Sequence, residues 1–388
     1  MVVSHPIQYY APWFAHLQEN LGWKLRVFYL WDFGITPKQD VDFKRELTWD
    51  LDLLNGYEHE WVPNRSRHPG THRFDGLYNP SLFHQLRSWS PDVILVFGYG
   101  WRSMLHLALR WRDCPLILRG DSHDLARKGP VSLRQRCANL ARSKLMTRYR
   151  AFAAVGQANR AGYRALGVPD DSIHFVPHCV DNERFAVAAK NDQSAQRVSW
   201  RSELGLDQST AIVLFAGKFE TKKRPDLLLE AYHQIDAPDS ALVMVGDGAL
   251  RPRLEQLAQR DSRVHLLPFL NQSQMPVALA AADLTVLPSE GPGETWGLIL
   301  NESLAAGTPI LASSHVGAVP DLVDEGVTGW SFGAGNLNDL GIKLSTALSH
   351  IRVDRPRWRQ NTQNHIQRYS YAEATRALGA MLAVVREA

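Results

Sequence analysis

The chain has 388 residues, of which 45% are hydrophobic and 21% charged, with a formal net charge of +3. That length exceeds what one hydrophobic core usually serves, so two domains are expected, and the composition is that of an ordinary soluble globular protein. Cys114, Cys137 and Cys179 are widely spaced and odd in number, which excludes a disulfide framework or a metal knuckle and suits a reducing, cytoplasmic setting. No run of apolar residues is long enough to span a membrane, and no basic-then-apolar leader opens the chain, so neither a spanning helix nor a signal peptide is expected.

In chain order, a very short strand precedes His5, and a helix is expected over 11–18. Strand-like runs follow at 25–30 (LRVFYL), 92–97 (DVILVF), 115–118 and 173–176, with a helix over 103–112. Residues 127–164 contain ten Lys or Arg (127, 128, 134, 136, 142, 144, 148, 150, 160 and 164) and no acid. Leu133, Leu140, Leu145, Met146, Tyr149 and Phe152 would give this segment a helical apolar face. Such a basic amphipathic surface suits an anionic membrane or a phosphate-bearing acceptor. A solvated face whose long side chains cover core residues is the plainer alternative. No nucleic-acid module accompanies the charge, so nucleic acid is not expected as a partner.

The polar stretch 186–208 reads as a linker and entry helix. Beyond it, strands are expected at 211–216 (AIVLFA), 241–245, 264–267, 284–287 and 309–312, separated by helices over 226–234, 250–259, 276–281 and 298–306. Residues 350–388 are helical by composition and bring no further strand. Short apolar strands alternating with helices imply parallel sheets covered on both faces. The expected fold is α/β: two Rossmann-like domains facing across a cleft, with ligands outside the carboxyl ends of the strands.

The most informative stretch is 288–309, PSEGPGETWGLILNESLAAGTP. It reads as strand, glycine loop, short helix, with Gly307 as C-cap and Pro309 preventing continuation. Amides at the start of that helix, near Leu298, suit an anion such as a diphosphate. Glu294 lies in the loop and Glu302 inside the helix, with Gly297 between them. Carboxylates are poor phosphate ligands and better suited to accept hydrogen bonds from sugar or ribose hydroxyls. After AIVLFA comes GKFETKKRPDLLLEAY, where Gly217 allows a tight exit from the strand and Lys218 and Lys223 are placed to reach a phosphate. Lys222 and Arg224 leave open which cation points inward. Gly246 and Gly248 in VGDG permit close backbone approach to a nucleotide.

The segments GKFETKKRPDLLLEA, VMVGDGALRPRLEQLA, PSEGPGETWGLILNESLAAGTPILAS and VGAVPDLVDEGVTGW resemble the successive signatures of the retaining, GT-B-fold glycosyltransferase family 4. The resemblance is strong over 211–332. It is looser over 1–185, where SHPIQYYAPWF and ILRGDSH resemble members that build surface or extracellular polysaccharides. It implies an acceptor-binding domain over 1–185, a nucleotide-sugar domain over 186–365, and a helix over 366–388 returning to the first. Glu294 would be the first Glu of the E-x7-E motif, contacting the transferred sugar, and Glu302 the second, binding the ribose. Lys218 and Lys223 would clamp the diphosphate, with Lys218 where the family usually has Arg, which keeps the charge and loses a bidentate fork. Gly217, Gly246, Gly297 and Leu298 would line the nucleotide.

His123, with Asp121 close by, resembles the family's cleft histidine, while His5, Gln8 and Tyr9 are candidates for the acceptor side. His178-Cys179 replaces a usual Asn-Gly and reads as a hinge or turn, Ser303 a common Ala, and Glu290 is too far from Glu302 to be the first motif acid. The activity implied is transfer of a hexosyl unit, with retention, from a UDP-sugar or GDP-sugar to a sugar or lipid-linked acceptor. It would need neither cofactor nor metal and would take place in the cytoplasm at the inner membrane face. A UDP-sugar epimerase of GT-B architecture and a non-catalytic nucleotide-sugar-binding protein are the competing readings.

Overall fold

The structure is a computed structural model that describes all residues except 36–37, 41–44, 48, 128, 130–131, 191–194 and 388. The first half runs β1 (Val2–Val3), α1 (Ala11–Asn20), β2 (Arg26–Tyr29), a small antiparallel hairpin of β3 (Lys38–Asp40) and β4 (Arg45–Leu47), β5 (Glu58–Trp61) and α2 (Leu82–Trp89). It continues through β6 (Ile94–Phe97), α3 (Arg102–Arg110), β7 (Leu116–Gly120), α4 (Leu133–Met146), β8 (Ala151–Ala154), α5 (Gln157–Ala165) and β9 (Ile173–Phe175). These form a seven-stranded parallel sheet in the order β5-β2-β1-β6-β7-β8-β9.

The second half begins with α6 (Asn182–Lys190) and α7 (Ala195–Glu203), followed by β10 (Ala211–Ala216), α8 (Pro225–Gln234), β11 (Ser240–Val245), α9 (Arg251–Ala258), β12 (Val264–Leu267) and α10 (Met275–Ala281). Then come β13 (Leu284–Leu287), α11 (Ile299–Ala305), β14 (Ile310–Ser313), α12 (Val319–Leu322), β15 (Gly329–Phe332), α13 (Leu337–Val353), α14 (Arg355–Ile366) and α15 (Tyr371–Glu387). The sheet is parallel, in the order β12-β11-β10-β13-β14-β15. Every residue of β10 and β11 is buried, which is why these strands read as unbroken apolar runs: helices cover both faces.

In each sheet the strand order reverses at one place, between β1 and β6 in the first and between β10 and β13 in the second. Loops leaving neighbouring strands in opposite directions open a crevice there. The loops after β10 and β13 are the two that carry Lys218, Lys223 and Glu294.

Several elements differ from expectation. The basic segment is not one helix: it is divided into α4, β8 and α5, and Leu145, Met146, Tyr149 and Phe152 are core residues, while Leu133 and Leu140 are 78% and 73% exposed. Lys128 lies outside the described residues. The stretch 186–208, expected to be linker and entry helix, holds the end of α6 and all of α7, and both helices pack on α10, with Phe185 in the core of the second half. The crossing between the sheets lies at 176–181, a few residues before the expected boundary at 185/186. Buried Arg119 pins it by donating to the carbonyls of Val176 (2.7 Å) and Pro177 (3.0 Å). Helix α15 lies on α1, where Trp13 Nε1 donates to Thr375 Oγ1 at 3.2 Å and Leu378 and Met381 join Phe14 in one core cluster. Among the described residues no helix is long and apolar enough to cross a membrane.

Candidate active site

The loop after β10 turns sharply through Thr221–Lys223 in a single 3-10 turn and enters α8 through Arg224, which has φ 50°, and Pro225 at the first helical position. A left-handed conformation is uncommon for a residue with a Cβ. Here Arg224 is held by its side chain, which donates to Asp226 at 3.3 Å and to Glu290 in the facing loop. A backbone bond from Glu290 N to the Lys222 carbonyl (2.8 Å) ties the two loops together. The cations of this loop are thereby placed differently. Arg224 pairs with Glu290, Lys222 stays 47% exposed beside Glu220 at 3.3 Å, and Lys223 turns inward. Lys218 is half-buried at the start of the same loop.

Lys223 Nζ meets Glu294 Oε2 in an ion pair, with side chains 19% and 9% exposed, and Ser289 Oγ donates to the same carboxylate oxygen at 2.8 Å. Burial alone would raise the Glu294 carboxyl, but Lys223 and Ser289 outweigh it and hold the group below its ordinary value. Ser289 was not singled out from the sequence. Its only signal is position, directly after the strand and Pro288.

Gly297 has φ 96°, and a Cβ there would stand 2.7 Å from Leu287 Cδ2, so the glycine before α11 is required by both conformation and space. Leu298 is the helix N-cap, and Gly307, at φ 82°, closes the other end. One turn into α11 sits Glu302, 8% exposed, with no hydrogen bond to its carboxylate among the described residues. Burial pushes this carboxyl up to about 7, with only the Arg184 charge opposing. Glu294 is thus held by a cation and a hydroxyl, whereas Glu302 carries a carboxyl that burial raises.

Gly217, expected to allow a tight exit from β10, is not held to glycine by its conformation. It does not take a left-handed φ, and a Cβ there would meet only ordinary contacts with Phe215. The constraint lies one strand over: a Cβ on Gly246 would stand 1.9 Å from the Gly217 carbonyl, and one on Gly248 2.7 Å from that of Phe219. VGDG is thus glycine-rich because two strand-exit backbones touch.

Across the crevice, His123 Nε2 lies 3.1 Å from the Glu294 carbonyl, and Asp121 accepts from Thr295 Oγ1 at 2.7 Å. Tyr9 and Tyr10 approach the crossing segment, where Tyr10 stacks on buried His178 at 5.6 Å; burial, then the Arg119 charge, hold that imidazole well below its usual value. Asn301 on α11 joins the two halves, accepting from Trp296 Nε1 (2.7 Å) and donating to the His178 carbonyl (3.2 Å). His5 stands further out, edge-on to Trp31 (5.7 Å) and Phe33 (5.6 Å), and burial lowers it to about 4. Gln8 is half-buried in the loop after His5.

Residues 7–179 match the model of the glycosyl transferase 4-like domain, and residues 196–365 that of glycosyl transferases group 1. The chain belongs to the GT4-like glycosyltransferases of GT-B fold. It is 28% identical over 285 residues to the D-inositol 3-phosphate glycosyltransferase of Xylanimonas cellulosilytica, covering 66% of each chain. It is 28% identical over 199 residues to sulfoquinovosyl transferase SQD2 of Arabidopsis thaliana, covering 50% of this chain and 37% of that one. The aligned part spans 52% and 35% of the D-inositol 3-phosphate glycosyltransferases of Saccharomonospora viridis and Geodermatophilus obscurus. In fold the chain is similar to Anabaena HepE in complex with UDP, with a TM-score of 0.73 at 17% identity over 99% of this chain and 98% of that one. In this GT-B fold the Lys223–Glu294 pair stands where the loops after β10 and β13 face one another.

Proposed function

We propose that this glycosyltransferase moves a hexosyl unit, with retention, from a UDP-sugar or GDP-sugar to a sugar or lipid-linked acceptor in polysaccharide or glycoconjugate synthesis. The observation that carries the reading is the Lys223–Glu294 pair in the facing loops at the strand-order reversal, with Glu302 buried one turn into the next helix. An ammonium has three donors and Glu294 takes one, so Lys223 suits a diphosphate entering beside it. Glu294, released or shared, then accepts from hydroxyls of the transferred sugar, while Glu302 accepts from the ribose. As the glycosidic bond to the diphosphate breaks, negative charge grows on the leaving phosphate, and Lys218, Lys223 and the amide end of α11 stabilise it. The acceptor hydroxyl attacks from the face the diphosphate leaves, and its proton passes to a departing phosphate oxygen. Glu294 is not assigned as a nucleophile.

UDP is the first donor nucleotide to test, because the similar fold of HepE is known with UDP. The deciding experiment measures binding of UDP, GDP, ADP and their sugar conjugates, with Glu302→Ala as control. Tight binding of one nucleotide, lost in the variant, is expected; binding that survives the variant would remove Glu302 from the site. Turnover is expected to withstand a chelator, since cationic side chains carry the phosphate charge, and loss of turnover on chelation would overturn that part. We further propose that exposed Leu133 and Leu140 on α4, with exposed Arg134, Arg136, Arg142 and Lys144 around them, rest on an anionic membrane surface at the cytoplasmic face. That would present the crevice to a lipid-linked acceptor.

A further inference from the structure

The loop that carries Glu294 is gripped from the opposite half of the molecule at two adjacent residues. The Glu294 carbonyl is met by His123 Nε2 at 3.1 Å and by the Gly317 amide at 3.3 Å. His123 Nδ1 accepts from the Leu125 amide at 3.2 Å, which leaves Nε2 to donate to that carbonyl. One residue on, Thr295 Oγ1 donates to Asp121 Oδ2 at 2.7 Å. Gly317 is part of the fit, because a Cβ there would stand 2.7 Å from His123 Cδ2 and 2.0 Å from the Thr295 carbonyl.

The two halves therefore divide the task. Lys223 and Ser289, from the second half, hold the Glu294 carboxylate. His123 and Asp121, from the first half, hold the backbone of Glu294 and the side chain beside it. A hydroxyl donating to a carboxylate is a charge-assisted bond, stronger than the neutral bond from His123. We propose that Asp121 is a positioning residue: through Thr295 it couples contact between the two halves to the placement of Glu294 against the transferred sugar. The proposal rests on the reading of Glu294 given above. A misplacement of about 1 Å at a reacting centre costs on the order of a hundredfold in rate, so one hydrogen bond at this point has leverage on turnover without touching nucleotide affinity.

Four variants separate the possibilities. Thr295→Val keeps the branched shape and removes the donor, whereas Thr295→Ser keeps the donor. Asp121→Ala removes the acceptor, and Asp121→Asn retains an uncharged acceptor oxygen. The first readout needs no activity: hydrogen exchange of the amides at 291–298 in the unliganded protein. Exchange is expected to be at least about fivefold faster in Thr295→Val and Asp121→Ala, close to wild type in Thr295→Ser, and between the two in Asp121→Asn.

The second readout is consumption of the sugar conjugate of whichever nucleotide binds the wild type. There kcat should fall about 10- to 100-fold in Thr295→Val and Asp121→Ala, with KM for the donor within about threefold, and the double variant should be no slower than the slower single one. Unchanged exchange in both single variants, additive losses in the double variant, or a loss confined to KM would each overturn the proposal. Failure of the wild type to bind any nucleotide would instead sink the donor-site reading, and the exchange result would still decide whether Asp121 holds the loop.

Discussion

Glu302 sets a pH dependence whose sign follows from its burial. Its carboxyl is raised from 4.5 to about 7 in the folded protein, so the folded state holds the proton more tightly than the unfolded chain. The resulting stabilisation is complete below about pH 4.5 and is lost as pH rises towards 7, an effect of at most about 3 kcal/mol. A ribose that donates hydrogen bonds to this group favours the ionised form, so donor binding should release a proton between these limits. Affinity for the preferred nucleotide is expected to strengthen about tenfold from pH 6 to pH 8, and Glu302→Gln should bind more weakly and remove that difference. Calorimetric titration of both proteins at the two pH values checks it; equal slopes for wild type and variant would place the ribose elsewhere. Lys223→Ala tests the neighbouring acid. It leaves Glu294 buried without its cation, which should cost about 1–3 kcal/mol in denaturant unfolding and at least about a hundredfold in turnover. At this scale the nearness of the two glutamates was legible in the sequence because loop and helix spacing confines them, whereas the choice of Lys223 over Lys222 and Arg224 was not. Asp121 and Ser289 were not legible as partners, since each meets its contact through tertiary packing.

Among the elements, the 290–298 loop and α4 make opposite demands. Gly297 combines a left-handed φ with a side-chain clash, whereas Gly291, at φ 93°, has nothing within 4 Å of a Cβ. Gly291→Ala should therefore show conformational strain alone, about 1 kcal/mol, and Gly297→Ala strain plus displaced Leu287 and Val316, about 2–3 kcal/mol. Parallel denaturant unfolding of the two variants separates these contributions, and equal losses would mean that Leu287 yields without cost. In α4, Leu133 and Leu140 touch solvent, so replacing both by Glu should leave stability within about 0.5 kcal/mol. Sedimentation with phosphatidylglycerol vesicles at low salt should fall at least about tenfold in that variant, and added salt should weaken wild-type binding. Wild-type protein that stays in the supernatant at low salt would end the membrane reading.

The elements most legible in the sequence were β10, β11 and β13, because strands covered on both faces are apolar throughout. β5 (EHEW) is an edge strand with three polar residues of four, and β8 (AFAA) lies inside a basic stretch, so neither carries a periodic signal of its own. The same basic stretch read as one amphipathic helix because its buried residues belong to α4, β8 and the turn between them, merged by sequence proximity alone.

At the scale of the whole molecule, the two halves complete one another's structure at α5. That helix begins after Gly156, which has no side chain to cap it, and its first amide, Gln157 N, is instead met by Asp321 Oδ2 from the second half at 2.8 Å. Asp321 is in turn held by Tyr369, whose hydroxyl donates to its Oδ1 at 3.2 Å, while His365 Nε2 lies 2.9 Å from its carbonyl. Gly156 is extended, at φ −178°, so the demand for glycine there is one of space: a Cβ would stand 2.3 Å from the Trp296 ring and 2.7 Å from Asp321 Oδ2. Neither obstacle is the loose end of a flexible chain, because Trp296 is buried and bonded to Asn301.

Gly156→Ala should therefore separate the halves along this flank while leaving each core intact. The expected signature is an increased radius of gyration by small-angle scattering, nucleotide affinity within about threefold of wild type, and turnover reduced at least about a hundredfold. Nucleotide affinity is spared because Lys223, Glu294 and Glu302 all stand on the second half, whereas Glu294 is oriented by residues of the first. Burial raises the Asp321 carboxyl to about 6, while the Gln157 amide from the first half and the Tyr369 hydroxyl act to lower it. A scattering profile of Gly156→Ala that overlays wild type, with normal turnover, would mean that the contact at Trp296 yields locally and that this flank does not govern how the halves meet.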